Sequence, residues 1–425
     1  MRDFPVDLIR QEFPALALAN NGQPAVFFDN PAGTQVPRRV LERMQETMVN
    51  RNANLGGYFP TSRRAGELVA QARQALADFY NASGAEEIVF GQNMTTLTLH
   101  MSRCIGRQLK SGDEIILSRM DHDANVAPWL LLAKDRELKV RWLDFSVESY
   151  EFEDDALDGL LSRRTRLLAV GSASNCTGTI NDVKSLAAKA RAAGALIYVD
   201  AVQLAPHQAI DVRDLGADIV VSSAYKWFGP HQGVLWGRRD VLEHIPAYKV
   251  RPAGDGVPER FETGTQSHEG MAGCLGAIEY LAWIGRTFAD ARHQPNAALS
   301  SERNAIEAGF ALLGEWEQHL CRRLIEGLSE RKGVRVRGIT NPNALHRRVP
   351  TVSFTLAGRD PAEIAKEFAE RDIFVWSGHN YAVEPIRRLG LLEKGGVLRA
   401  GLAHYNTQDE VERFLAVLDE IGATA

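Results

Sequence analysis

The chain has 425 residues, 45% hydrophobic and 24% charged, with a formal net charge of −5. That length predicts two domains rather than one, with apolar residues enough for a sizeable core, and the negative balance argues against nucleic acid as a bulk partner. Four scattered cysteines (Cys104, Cys176, Cys274 and Cys321) form no C-x-x-C pair, which argues against a zinc site or a disulfide framework.

The first residues lack the apolar stretch of a signal peptide, and the apolar run at 127–133 is too short to cross a bilayer, so a cytoplasmic protein without membrane contacts is expected. From residue 87 to 236 short apolar runs alternate with helical patterns. Residues 88–90, 114–117, 167–170, 196–199 and 219–221 read as strands. Ahead of the fourth, Asp182 stands as the N-cap of a helix whose Val183, Leu186, Ala187 and Ala190 share a face. This alternation predicts an α/β fold with a mostly parallel sheet covered on both faces. Asn93, His122, Asn175, Asp200 and Lys226 each fall just after a strand, and ligands of open α/β sheets collect at those carboxyl ends.

From 300 to 329, Ile306, Phe310, Leu313, Leu320, Leu324 and Leu328 recur at helical spacing, the core-facing stripe of one long helix. Strands follow at 351–356, 373–376 and 397–402, with helices at 361–370 and 410–421. Thr407 and Glu410 have the spacing of a capping box. The simplest division is an N-terminal segment (1–24) packing on the small domain, a large domain (25–295), and a linking helix with a small α+β C-terminal domain (296–425).

Four segments carry candidate chemistry. Where the strand at 88–90 runs into a helix, the amides of Met94 and Thr95 offer an anion site, although Thr95 acting as a plain cap satisfies the same pattern. His122 is a flat, polarizable ring able to stack on a pyridine. Asp200 is either a helix N-cap or the carboxylate that keeps a pyridine nitrogen protonated and the ring an electron sink. Lys226 is either a surface lysine or an amine whose pKa an apolar cleft lowers until it attacks an aldehyde. Ser223 and Tyr225 beside it offer hydroxyls to a phosphate.

Further segments join these in order: Phe27-Phe28-Asp29-Asn30-Pro31-Ala32-Gly33, Asn52-Ala53-Asn54, Asp121-His122-Asp123-Ala124-Asn125, Ser174-Asn175-Cys176-Thr177-Gly178-Thr179, Arg260-Phe261-Glu262-Thr263-Gly264-Thr265 and Arg399-Ala400-Gly401-Leu402-Ala403-His404-Tyr405-Asn406-Thr407. Together they resemble the class V aminotransferase superfamily of fold-type I enzymes dependent on pyridoxal 5′-phosphate (PLP), most closely its cysteine desulfurase/selenocysteine lyase branch. The resemblance spans nearly the whole chain. It implies a fold-type I PLP-dependent transferase and PLP held as a Schiff base on Lys226, which also moves the α-proton. It implies Asp200 at the ring nitrogen, Gln203 and Asn175 near the ring hydroxyl, and His122 stacked on the ring. Met94, Thr95 and Ser223 would hold the phosphate, with Tyr225 where the family has histidine. Thr265 would reach the phosphate across a homodimer interface. Arg399 would clamp the substrate carboxylate with a bidentate fork, and Asn175, Asn380 and Tyr381 would line the substrate.

Two departures stand out. The branch carries its sulfur-accepting cysteine in a loop that here reads Ser377-Gly378-His379-Asn380-Tyr381-Ala382, with Tyr381 at the cysteine position, and Leu55-Gly56-Gly57 stands where a histidine is expected. The expectation is therefore a PLP enzyme acting on an α-amino acid or an amino-acid-like compound by transamination or β-elimination. The alternatives are a desulfurase or C–S lyase using an external thiol acceptor, and a PLP-binding protein without turnover.

Overall fold

The computed structural model describes residues 4–19, 22–290 and 295–423. Thirteen strands are described: β1 (Val26–Phe27), β2 (Ile88–Gly91), β3 (Glu114–Ser118), β4 (Lys139–Leu143), β5 (Thr165–Gly171), β6 (Leu196–Asp200), β7 (Ile219–Ser223), β8 (Gly233–Gly237), β9 (Val334–Arg337), β10 (Thr351–Leu356), β11 (Ile373–Phe374), β12 (Trp376–Gly378) and β13 (Val397–Gly401). Seven of them form one sheet in the order β2-β8-β7-β6-β5-β3-β4, parallel except for the pairings of β8.

The continuous apolar runs of this sheet follow from burial on both faces. Successive side chains alternate across it. Ile116, Val170, Ile197, Val199 and Val220 pack into one core under the helices Pro60–Tyr80, Val183–Ala192 and His268–Phe288. Ile115, Leu117, Ala169, Tyr198 and Val221 pack into the other, under Met94–Gly106 and Ala127–Arg136. Asp182 caps its helix as expected, its Oδ1 accepting from the Ser185 amide at 3.0 Å.

The helix Ser301–Ser329 leads to a second, antiparallel sheet ordered β12-β13-β10-β9. Leu398, Ala400, Val352 and Phe354 pack its inner face against that helix and the C-terminal helix Gln408–Ala423. The Thr407 hydroxyl accepts from the Glu410 amide at 3.2 Å while Glu410 accepts from the Thr407 amide at 3.1 Å, so the capping box forms reciprocally. At the N-terminus Phe4 stacks on Trp316 and Arg10 pairs with Glu410 at 2.9 Å.

One expectation is corrected. The single strand read at 373–376 is two: β11 runs parallel to β1, and β12 runs antiparallel to β13. The apolar run is continuous, but its halves serve different sheets, and hydrophobic periodicity does not report the pairing partner.

Candidate functional site

The carboxyl ends of β3, β5, β6 and β7, with the helix that follows β2, converge on one cleft roofed by the second sheet. Gly233 makes room for that helix: a Cβ there would lie 2.6 Å from the Asn93 carbonyl carbon. Asn93, not Thr95, is the N-cap, its Oδ1 accepting from the Thr96 amide at 2.9 Å. The Thr95 hydroxyl donates to the Met94 sulfur at 3.6 Å, and the Met94 amide donates to Ser223 Oγ at 2.9 Å. The three expected anion-holding residues therefore meet at one helix N-terminus. Tyr225 stacks on the exposed His231 ring at 4.8 Å.

Lys226 leaves the turn after β7, and its Nζ donates to the Pro31 carbonyl at 2.5 Å; Gln203 Nε2 donates to the same oxygen at 2.9 Å. Burial first, and then the Arg399 charge, lower the lysine to about 7, against the pull of Asp200 and Asp29. Asp200 ends β6 and is raised to about 6 by burial, with the Val202 amide (2.8 Å) and Lys226 opposing. A half-buried amine near neutrality beside a buried carboxylate is a perturbed pair of the kind that marks reaction sites.

His122 is half-buried and pushed down to about 3 by desolvation and then by Lys226 and Arg399, so the ring is neutral. Its Nδ1 accepts from the Ala124 amide at 3.0 Å. Asp121 braces the same turn, accepting from Asn125 at 2.7 Å and from the Gly171 amide at 2.9 Å. Arg399 is 4% exposed; Nη1 donates to the Asn175 carbonyl at 2.9 Å, and Nε has no partner. The Asn175 amide donates to the Asn380 carbonyl at 2.8 Å, while its Oδ1 is buried and unpaired. Asn380 and Tyr381 adopt φ of 50° and 58°, and the Tyr381 ring lies parallel to His122 with centroids 5.4 Å apart.

Two participants escaped the sequence reading. The Pro31 carbonyl is a backbone group and has no side-chain signature. Asp29 lies within electrostatic reach of both Arg399 and Lys226, is raised to about 6 by burial, and keeps an unpaired Oδ1. Its segment reads as a strand and turn, which hides the carboxylate. Thr265 is not brought to the cleft: it is exposed and without a hydrogen-bond partner among the described residues.

This donor set fits pyridoxal 5′-phosphate: a helix N-terminus with two hydroxyls for the phosphate, a buried acid, a neutral stacking ring and an amine near pH 7. Buried polar atoms left unpaired cost about 1–3 kcal/mol each. Here one cation donor (Arg399 Nε) and two acceptors (Asn175 Oδ1, Asp29 Oδ1) stand unmatched around the cleft.

The profile of the Aminotransferase class-V family matches residues 26–305 and 296–414. The chain belongs to the class V aminotransferases. It is a PLP-dependent enzyme of fold type I. This class V enzyme is 30% identical to a cysteine desulfurase of Yersinia pestis, over 99% of its own length and 98% of the relative's. Its fold matches the apo cysteine desulfurase of Thermococcus onnurineus with a TM-score of 0.86 and 29% identity, covering 100% of this chain and 99% of that one. The Escherichia coli cysteine desulfurase CsdA aligns with a TM-score of 0.81 and 28% identity, over 98% of each chain. Among the described residues no helix is long and apolar enough to cross a membrane.

Proposed function

We propose that this class V enzyme cleaves the C–S bond of a cysteine-type α-amino acid and releases the sulfur as a thiol instead of holding it on the chain. The observation that carries the reading is the state of its thiols. The relatives are cysteine desulfurases, yet Tyr381 occupies the acceptor position, and all four cysteines are buried with thiols raised by desolvation, Cys176 to about 11. Sulfur chemistry needs a thiolate, and none is supplied near neutrality.

The overall reaction is an elimination with hydrolysis: the substituted cysteine and one water give the thiol, pyruvate and ammonia. The α-proton leaves, the Cβ–S pair departs with sulfur, and sulfur takes a proton. Bound PLP supplies the electron sink that makes the α-proton removable. Lys226 would hold the cofactor and carry the α-proton. Asp200 would serve the ring nitrogen, Gln203 and Asn175 the ring hydroxyl, and His122 the ring face. Met94, Thr95, Ser223 and Tyr225 would hold the phosphate, joined by Thr265 from a second copy in a homodimer. Arg399 takes the substrate carboxylate, and Asn175, Asn380 and Tyr381 line the substrate in a cytoplasmic enzyme. The test is a product inventory with L-cysteine and S-alkyl-L-cysteines. Pyruvate, ammonia and thiol in equal amounts support elimination. A sulfur-bearing 2-oxo acid would replace it with transamination. The similarity to desulfurases favours one second reading, sulfur transfer to a small external thiol, recognised by alanine and a low-molecular-weight persulfide.

A further inference from the structure

Trp376 and Arg399 are directly opposed in the β12–β13 pair. Directly opposed residues of an antiparallel pair project from the same face. Ser353, opposed to Arg399 from β10, shares that face, and its hydroxyl donates to the Cys176 carbonyl at 2.6 Å. Val397, two residues before Arg399, packs with Cys176 and Ala382. The face that carries Trp376 is thus the one turned to the Asn175–Cys176 loop and the cleft. The indole is 50% exposed and makes no ring contact among the described residues.

Tyr381, 66% exposed, lies against His122 with ring centroids 5.4 Å apart. Its place is set rather than loose. Its carbonyl accepts from the Asp123 amide at 2.8 Å, its neighbour Asn380 is held by Asn175, and Tyr381 adopts a left-handed backbone that residues other than Gly, Asn and Asp avoid. Strain retained at a site by surrounding bonds points to a role for the side chain it aims.

With the substrate carboxylate on Arg399 and the cofactor ring beside His122, Trp376 neighbours the first of these residues and Tyr381 the second. We propose that Trp376 and Tyr381 form the side-chain subsite and select an α-amino acid carrying an aromatic group, an S-benzyl- or S-aryl-cysteine in particular. Aromatic side chains gain from offset or edge-on ring packing beyond the area they bury. The choice of a cysteine conjugate rests on the C–S cleavage reading; the aromatic preference does not.

The experiment titrates the PLP-loaded enzyme with L-phenylalanine, L-alanine, S-benzyl-L-cysteine and S-methyl-L-cysteine, taking Kd from the change in cofactor absorbance and measuring thiol release separately. Each aromatic member should bind at least about tenfold tighter than its aliphatic counterpart, and Trp376→Ala and Tyr381→Ala should each lower that ratio several-fold, with Trp376→Phe restoring it. A ratio within one preparation does not depend on how much of a variant folds. Equal Kd values for aromatic and aliphatic members in the unaltered enzyme would overturn the subsite, as would a ratio indifferent to both alanine variants. An aromatic preference without thiol release supports the subsite while removing the C–S reading; thiol release without the preference does the reverse.

Discussion

Lys226 Nζ lies 2.5 Å from the Pro31 carbonyl, so the amine expected to hold the cofactor is tethered to the opening turn of the chain. Only its free-base form attacks an aldehyde. With the group lowered to about 7, the free fraction grows as pH rises through that value and saturates above it. PLP capture by the apo-enzyme should therefore quicken about tenfold between pH 6 and 8 and then level, whereas an ordinary lysine, with a pKa of about 10.4, would still be gaining at pH 9. Stopped-flow absorbance measures this. After borohydride reduction, mass spectrometry should find the cofactor on the Lys226 peptide, and Lys226→Ala should abolish that adduct; a stable adduct on another lysine in the variant would reassign the anchor.

Arg399→Ala should leave the resting cofactor spectrum intact and weaken amino-acid binding. Truncating one partner of a buried, charge-assisted pair costs about 2–5 kcal/mol. Spectral titration should accordingly show Kd rising by roughly 30- to several-thousand-fold. Arg399→Lys should recover only part of the loss, because an ammonium cannot reproduce the planar fork. Unchanged affinity would remove Arg399 from the site.

The dimer is tested through Thr265, which has no hydrogen-bond partner among the described residues and is exposed on the loop ahead of the helix His268–Phe288. The PLP-loaded enzyme should sediment as a dimer at micromolar concentration, and Thr265→Ala should weaken PLP retention on dialysis without altering the borohydride-reducible linkage. A monomer that retains PLP tightly would contradict the shared site.

Thr407→Ala removes the hydroxyl half of the capping box at the helix Gln408–Ala423. An N-cap truncation costs about 1 kcal/mol. Denaturant unfolding should show a lower midpoint, and the loss should shrink in Thr407→Ser, which keeps the oxygen.

Much of this was legible because α/β sheets place functional groups at one edge. Apolar runs located five of the seven strands of the large sheet, missing β4 and β8, and the polar residues just past those five (Asn93, His122, Asn175, Asp200 and Lys226) mark the cleft. What the sequence hid has physical reasons. Pro31 acts through a backbone oxygen. Asp29 sits in a segment whose pattern already satisfied a strand and turn. Thr95 and Asn93 are both acceptable caps by residue type, Asn the better of the two, and the geometry chooses Asn93. The position of Trp376 beside Arg399 is a matter of register between strands some twenty residues apart, which periodicity within either strand does not encode.

On the proposed C–S cleavage, Tyr381 excludes a persulfide on the loop that carries it. A phenol has a pKa of about 10 and no soft sulfur, so it cannot hold a persulfide. The four cysteines are all buried, and desolvation holds each thiol above its ordinary value. Incubation with L-cysteine should therefore leave every cysteine unmodified by mass spectrometry, whatever product is released. A stoichiometric persulfide on Cys104, Cys176, Cys274 or Cys321, lost together with sulfur release when that residue becomes serine, would overturn the reading. The ring itself has another use. Its parallel stack on His122 and its exposed outer surface suit an aromatic wall better than a proton donor, since the hydroxyl makes no hydrogen bond among the described residues. Tyr381→Phe keeps the wall and removes the hydroxyl, so kcat should change by less than about threefold, with KM similarly spared. A fall in kcat of a hundredfold or more at unchanged KM would instead assign the hydroxyl to the transition state.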